Sequence, residues 1–123
     1  MMAKLSNFSF CSVSTIDDDS SVINFQAKGY VDHREDCIIW YFKHENEYKI
    51  IIQKDSLVVY VNDSSYTFDQ NKKTEALIKI DNYSYKASVL TNNLMISDNQ
   101  IDINYILNFD SFKGSYRISI KLC

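Results

Sequence analysis

The sequence predicts an all-β protein: a single antiparallel β-barrel of about eight to ten strands, one domain over residues 1–123. Three observations predict it. Short runs of β-branched and aromatic residues alternate with polar ones along the whole chain, with turn residues roughly every 8–12 positions, the spacing of a sandwich or barrel. No stretch of convincing length carries a helical period. Three β-rich runs, Cys37–Phe42, Tyr48–Gln53 and Leu57–Val61, are joined by hairpin-length breaks at His44–Glu47 and Lys54–Ser56, and so form an antiparallel meander. About ten strands in one small sheet would leave two bare edges; closing the sheet removes them.

The elements follow in order. Residues 5–16 form a first run with Phe8 and Phe10 on one face and Cys11 and Val13 on the other; the change midway predicts a bulge. Asp17-Asp18-Asp19-Ser20 is a turn. Val22–Val31 alternates cleanly, with Ile23, Phe25, Ala27, Gly29 and Val31 facing one way. Gly29 inside it marks a bend or a close backbone approach. Asp32–Asp36 is a loop, and the meander follows. Asn62–Ser65 is a turn, Tyr66–Phe68 a short strand and Asp69–Lys72 a break. Residues 74–80 could be a helix by propensity, but their short length and β-branched content favour a strand. Tyr83–Thr91 is a strand, and Asn92-Asn93 reads as a two-residue hairpin loop into Leu94–Ile96. After a turn at Ser97–Gln100 come Ile101–Phe109, a loop at Asp110–Gly114, and Tyr116–Leu122. Two glycines and no proline leave the turns to Asn, Asp and Ser, which tolerate positive φ or bond their own backbone.

Composition excludes several functions. At 46% hydrophobic and 14% aromatic, the chain can bury a full core. A net charge of −3 with scattered lysines argues against nucleic acid, whose binders cluster basic residues. No apolar run approaches the roughly 20 residues of a membrane-spanning helix, so no membrane partner is expected. The first residues turn polar too early for a signal peptide. The odd cysteines Cys11, Cys37 and Cys123 form no paired pattern. Cytoplasmic location is expected, with Cys11 and Cys37 as buried small hydrophobes and Cys123 exposed.

The chain carries little that points to catalysis. Asp17–Asp19 lacks the spacing and terminal Glu of a calcium loop. His33 and His44 sit in mixed-charge turns without a neighbour at ligand or base spacing. There is no nucleophile elbow, and two glycines cannot build a phosphate cradle. No catalytic residue, metal site or cofactor is expected, and an enzyme ranks third behind a binding and an interaction role. Its nine tyrosines are the one conspicuous excess. They either fill a small barrel or line a ligand cavity with a few polar groups.

Several segments together resemble a family of small uncharacterised bacterial proteins with a calycin-like (lipocalin-like) β-barrel. They are Ile16–Asp19 with Val22–Phe25 and Gly29-Tyr30, then Trp40-Tyr41, Lys49–Ile52 and Val58–Val61, then Thr91–Leu94 and Ile101–Tyr105. The resemblance covers nearly the whole chain and has no catalytic signature. Asn62-Asp63-Ser64 stands where the family tends to carry an Arg and a Gly, and Phe42-Lys43 where it tends to carry a carboxylate. The resemblance implies a lipocalin-like barrel and no activity.

Two functions compete. One is a binding protein holding a small apolar or amphipathic ligand in the barrel mouth, with Phe25, Trp40, Tyr105 and Ile118 in the lumen. The other is a solid-core interaction module working through its surface. The meander lacks strict alternation, so its second face should form an apolar patch including Ile51, Val58 and Tyr60. Such a patch is rarely left bare, and a homodimer through it is expected.

Overall fold

The computed structural model describes residues 3–70, 72–109 and 112–123. Ten antiparallel strands form a closed barrel: β1 (Lys4–Ile16), β2 (Asp19–His33), β3 (Ile38–His44), β4 (Asn46–Ile52), β5 (Ser56–Val61), β6 (Ser64–Asp69), β7 (Lys73–Ile80), β8 (Tyr83–Ile96), β9 (Gln100–Phe109) and β10 (Phe112–Leu122). Each strand pairs with the next, and β10 returns to pair with β1. Both chain termini and the loops after β2, β4 and β8 lie at one end, the terminal end. The tight turns after β1, β3, β5 and β7 lie at the other, the turn end.

Among the described residues, positive φ angles fall on Asp17, Asp18, Glu45, Asn62 and Asp81, and on no glycine. Four of these five are Asp or Asn, as the composition requires. Asn62 also braces two turns: its Oδ1 accepts from the Glu47 N–H at 2.9 Å, and its Nδ2 donates to Asn46 Oδ1 at 2.9 Å.

Alternation decides which side chains fill the lumen. Phe8, Trp40, Phe42, Ile50, Leu57, Phe68, Ile101, Ile103 and Ile120 are all buried to within 2% of full exposure lost. They form a packed waist, in which Phe8 lies between Trp40 at 5.8 Å and Phe42 at 4.8 Å. Residues 73–80 are strand and not helix.

Several expectations need correction. Asn92-Asn93 is no hairpin; β8 runs through it with a bulge between Thr91 and Asn93. The Gln70 side chain holds the bulge, donating to the Asn92 carbonyl at 3.0 Å and accepting from the Leu94 N–H at 2.6 Å. A side chain from 22 residues upstream thus satisfies backbone groups that a hairpin would have left to a turn. β1 carries no bulge: it pairs with β2 and β10 without a register shift, and Cys11 and Val13 simply face outward. Cys11 and Cys37 are half-buried, not core. The turn after β1 is shorter than expected, since Asp19 and Ser20 already pair with Ile16 and Thr15. Of the breaks, Asn71, Asp110 and Ser111 lie outside the described residues, as does the start at Met1-Met2.

Candidate functional site

The waist divides the lumen into two chambers. The turn-end chamber has a volume of about 230 Å³. Its walls are apolar, among them Val59, Phe68 and Ile118, and Ile23 stands at its border. Five hydroxyl-bearing residues also line it: Ser12, Tyr48, Tyr66, Tyr105 and Tyr116. Each arrives by strand alternation. Tyr105 lies opposite Tyr116 in the β9–β10 ladder, and their rings stack at 5.1 Å. Tyr66 comes from β6, and Phe68 beside it meets the Tyr105 ring at 4.7 Å.

The chemistry of these hydroxyls follows from burial. Desolvation raises the pKa of Tyr105 far above the ordinary 10, and the neighbouring Tyr66 and Tyr116 raise it further. Burial also pushes Tyr66 up, with Tyr116 adding to it, and pushes Tyr116 up. All three therefore stay neutral and can donate hydrogen bonds. Among the described residues, no charged side chain lines this chamber. Thr91, opposite Tyr105 in the β8–β9 ladder, is buried, and its Oγ1 has no hydrogen-bond partner among the described residues. A hydroxyl left so costs about 1–3 kcal/mol.

The terminal-end chamber is a larger bowl of about 500 Å³. Trp40, Val31 and Ile52 form its floor, and Lys4, His33 and Asp98 stand around it. This rim is charged and mixed in sign.

The four lumen residues named from sequence thus separate. Tyr105 and Ile118 line the turn-end chamber and Trp40 the terminal-end bowl. Phe25 lies half-buried in an aromatic stack, with Phe10 at 4.7 Å and His44 at 4.3 Å. His33 and His44 lie near opposite ends of the barrel. Among the described residues no cluster of His, Cys, Asp and Glu could hold a metal ion. Sequence reasoning did not single out Ser12, Tyr66 or Tyr116 for the site. The signal was present, since Tyr116 shares its face with Ile118 and Tyr66 shares its face with Phe68.

On the outside, Ile39, Ile51 and Val58 lie side by side across β3, β4 and β5, followed by Tyr41, Lys49 and Tyr60. The row is partly covered by its own neighbours: Ile39 is only 7% exposed and Tyr60 37%. Lys49 interrupts it.

No known family profile matches the chain, and no curated protein does. In structure it is similar to the ywiB protein of Bacillus subtilis, known from a crystal structure. The TM-score is 0.74 at 13% identity, over 98% of this chain and 93% of that one. The two share a fold; at that identity the likeness carries no activity. No helix among the described residues is long and apolar enough to cross a membrane.

Proposed function

We propose that this protein is a calycin-like binding barrel whose turn-end chamber holds a small uncharged amphipathic molecule. One observation carries the reading: Ser12, Tyr48, Tyr66, Tyr105 and Tyr116 bring hydroxyl groups to the lining of an otherwise apolar chamber. Apolar walls with a few placed polar groups are the usual make-up of a ligand site. A charged ligand would lose its hydration with no counter-charge in the lining. A ligand with a short hydrocarbon or ring body and one hydrogen-bond acceptor fits both parts. The volume of about 230 Å³ is below the roughly 300–1,000 Å³ of sites for drug-sized ligands, which favours a small occupant. The three free cysteines support a reducing compartment, and we place the protein in the cytoplasm.

The packed waist favours a second reading, an interaction module acting through its surface. Titration with N-phenyl-1-naphthylamine, a neutral apolar dye, separates the two. The ligand reading expects saturable, blue-shifted fluorescence at micromolar dye. Ile118→Trp fills the chamber and should abolish it while the protein stays folded by near-ultraviolet dichroism. Absence of saturable binding supports the surface module. Binding that survives Ile118→Trp moves the ligand to the terminal-end bowl.

A further inference from the structure

We infer that the free edge of β2, from Ser20 to Gln26, pairs with the same edge of a second copy of this chain. β2 pairs with β1 from Asp19 to Val31, but with β3 only from Gly29 to His33. β3 is half as long and turns back at Glu45. Among the described residues, no backbone hydrogen bond from a turn or loop reaches Asp19–Lys28. One side of this half-strand therefore offers unpaired N–H and C=O groups, which is a template for another strand.

Natural sheets protect such edges with charge, proline or a bulge. This edge has none of these. Ser20-Ser21-Val22-Ile23-Asn24-Phe25-Gln26 contains no charged residue, proline or glycine, and its register with β1 is unbroken. Val22 and Ile23 are 60% and 56% exposed. Uncharged segments of high β-propensity pair readily.

Charge selects the occupant. The acidic turn Asp17-Asp18-Asp19 precedes the edge and Lys28 follows it. An antiparallel strand complementary to both flanks is acidic at its start and basic at its end. β2 itself has that polarity. A two-fold axis normal to the sheet at Ile23 sets the acidic turn of each copy against Lys28 of the other. The same axis keeps the inner faces on one side, so Ile23 and Phe25 of both copies form one apolar row. Ile23 borders the turn-end chamber, so the second copy would flank that opening. The inference stands on the backbone of β2 and not on the ligand reading. The outer meander face, with Ile51, Val58 and Tyr60, is the competing surface for self-association. It is already partly covered and carries Lys49 at its middle.

Light scattering and hydrogen exchange on the full chain test this. Asn24→Lys places two like charges beside the axis; Asn24 is exposed. Wild type and Val58→Asp should show twice the 14.4 kDa chain mass, and Asn24→Lys the single mass. Amides of Ser20–Gln26 should exchange about tenfold more slowly in concentrated than in dilute wild type. Three results overturn the inference: a wild type that stays monomeric at hundreds of micromolar, a dimer split by Val58→Asp alone, or a dimer whose Ser20–Gln26 amides exchange at the monomer rate. The exchange measurement decides even where Asn24→Lys does not fold.

Discussion

Gly29→Ala should be among the most damaging single-methyl additions in this chain. A Cβ at Gly29 would sit 1.8 Å from the Tyr41 carbonyl oxygen and 2.8 Å from Phe42 Cα. Both obstacles are backbone, so no side chain can swing aside. Ordinary contact begins near 3.4 Å, which requires β2 and β3 to part by about 1.6 Å here. Hydrogen bonds do not stretch that far. The pairs Gly29↔Phe42 and Tyr30↔Tyr41 would open, costing about 1 kcal/mol per bond. Phe42, wholly buried in the waist, would lose part of the roughly 1.5–3 kcal/mol that its burial contributes. The loss comes to about 3–5 kcal/mol. For 123 residues the unfolding entropy is about 0.26 kcal/mol per degree, so Tm should fall by about 12–20 °C in a calorimetric scan. Gly114→Ala is the control: its nearest neighbours are atoms of the Tyr116 ring, at 2.9–3.1 Å, and a ring can move. A fall of less than about 4 °C for Gly29→Ala, or a larger fall for Gly114→Ala, would refute the reasoning.

Two further outcomes follow from other parts of the barrel. Burial raises the pKa of Tyr105 above the ordinary 10, so the unfolded chain loses this proton first; stability is full below pH 10 and declines above it, by up to about 1.4 kcal/mol per pH unit for this group. Urea midpoints should be flat from about pH 7 to 9 and fall above 10, less steeply in Tyr105→Phe; a midpoint that rises above pH 10 contradicts this. Asp18 holds a φ of 69° behind Asp17 at 49°, and Asp18→Gly creates the Asp-Gly pair that such two-residue loops favour; relief of about 1 kcal/mol should raise Tm by about 4 °C, and a fall would show that the Asp18 side chain stabilises the turn.

Much of the fold was legible because alternation assigns a strand residue to a face whatever its neighbours do. Phe8, Phe10, Leu57, Val59, Ile101, Ile103 and Ile120 all lie on the face their spacing predicts. The turns were legible because an almost glycine-free chain has few other residues for positive φ. What failed depended on contacts distant in sequence. Asn92-Asn93 looks like a hairpin locally, and only the Gln70 side chain makes it a bulge. The chamber was half legible. The tyrosines announced an aromatic interior, but which of them meet is set by ladder register, which joins Tyr105 to Tyr116 across β9 and β10 and brings Tyr66 in from β6.

Unequal strand lengths explain why the turn end, rather than the middle of the barrel, carries the features with functional potential. β2 has 15 residues and β8 has 14, while β3 has 7 and β6 has 6. Long strands overhang short ones, and the overhang keeps the inward alternation of the barrel without a facing wall. Ile23, Ile80, Tyr83 and Tyr85 continue the interior face of their strands and yet remain exposed. The same mismatch produces the β2 edge, because β3 ends before β2 does. An apolar rim, an open chamber and an unpaired strand thus have one geometric cause. That cause is partly written in the sequence: Asp17–Asp19 delays the β1–β2 turn, whereas His44–Glu47 brings the β3–β4 turn early. Lengthening β3 and β4 by two residues each would carry β3 over the Gln26 end of the β2 edge, leaving a shorter template for a second copy.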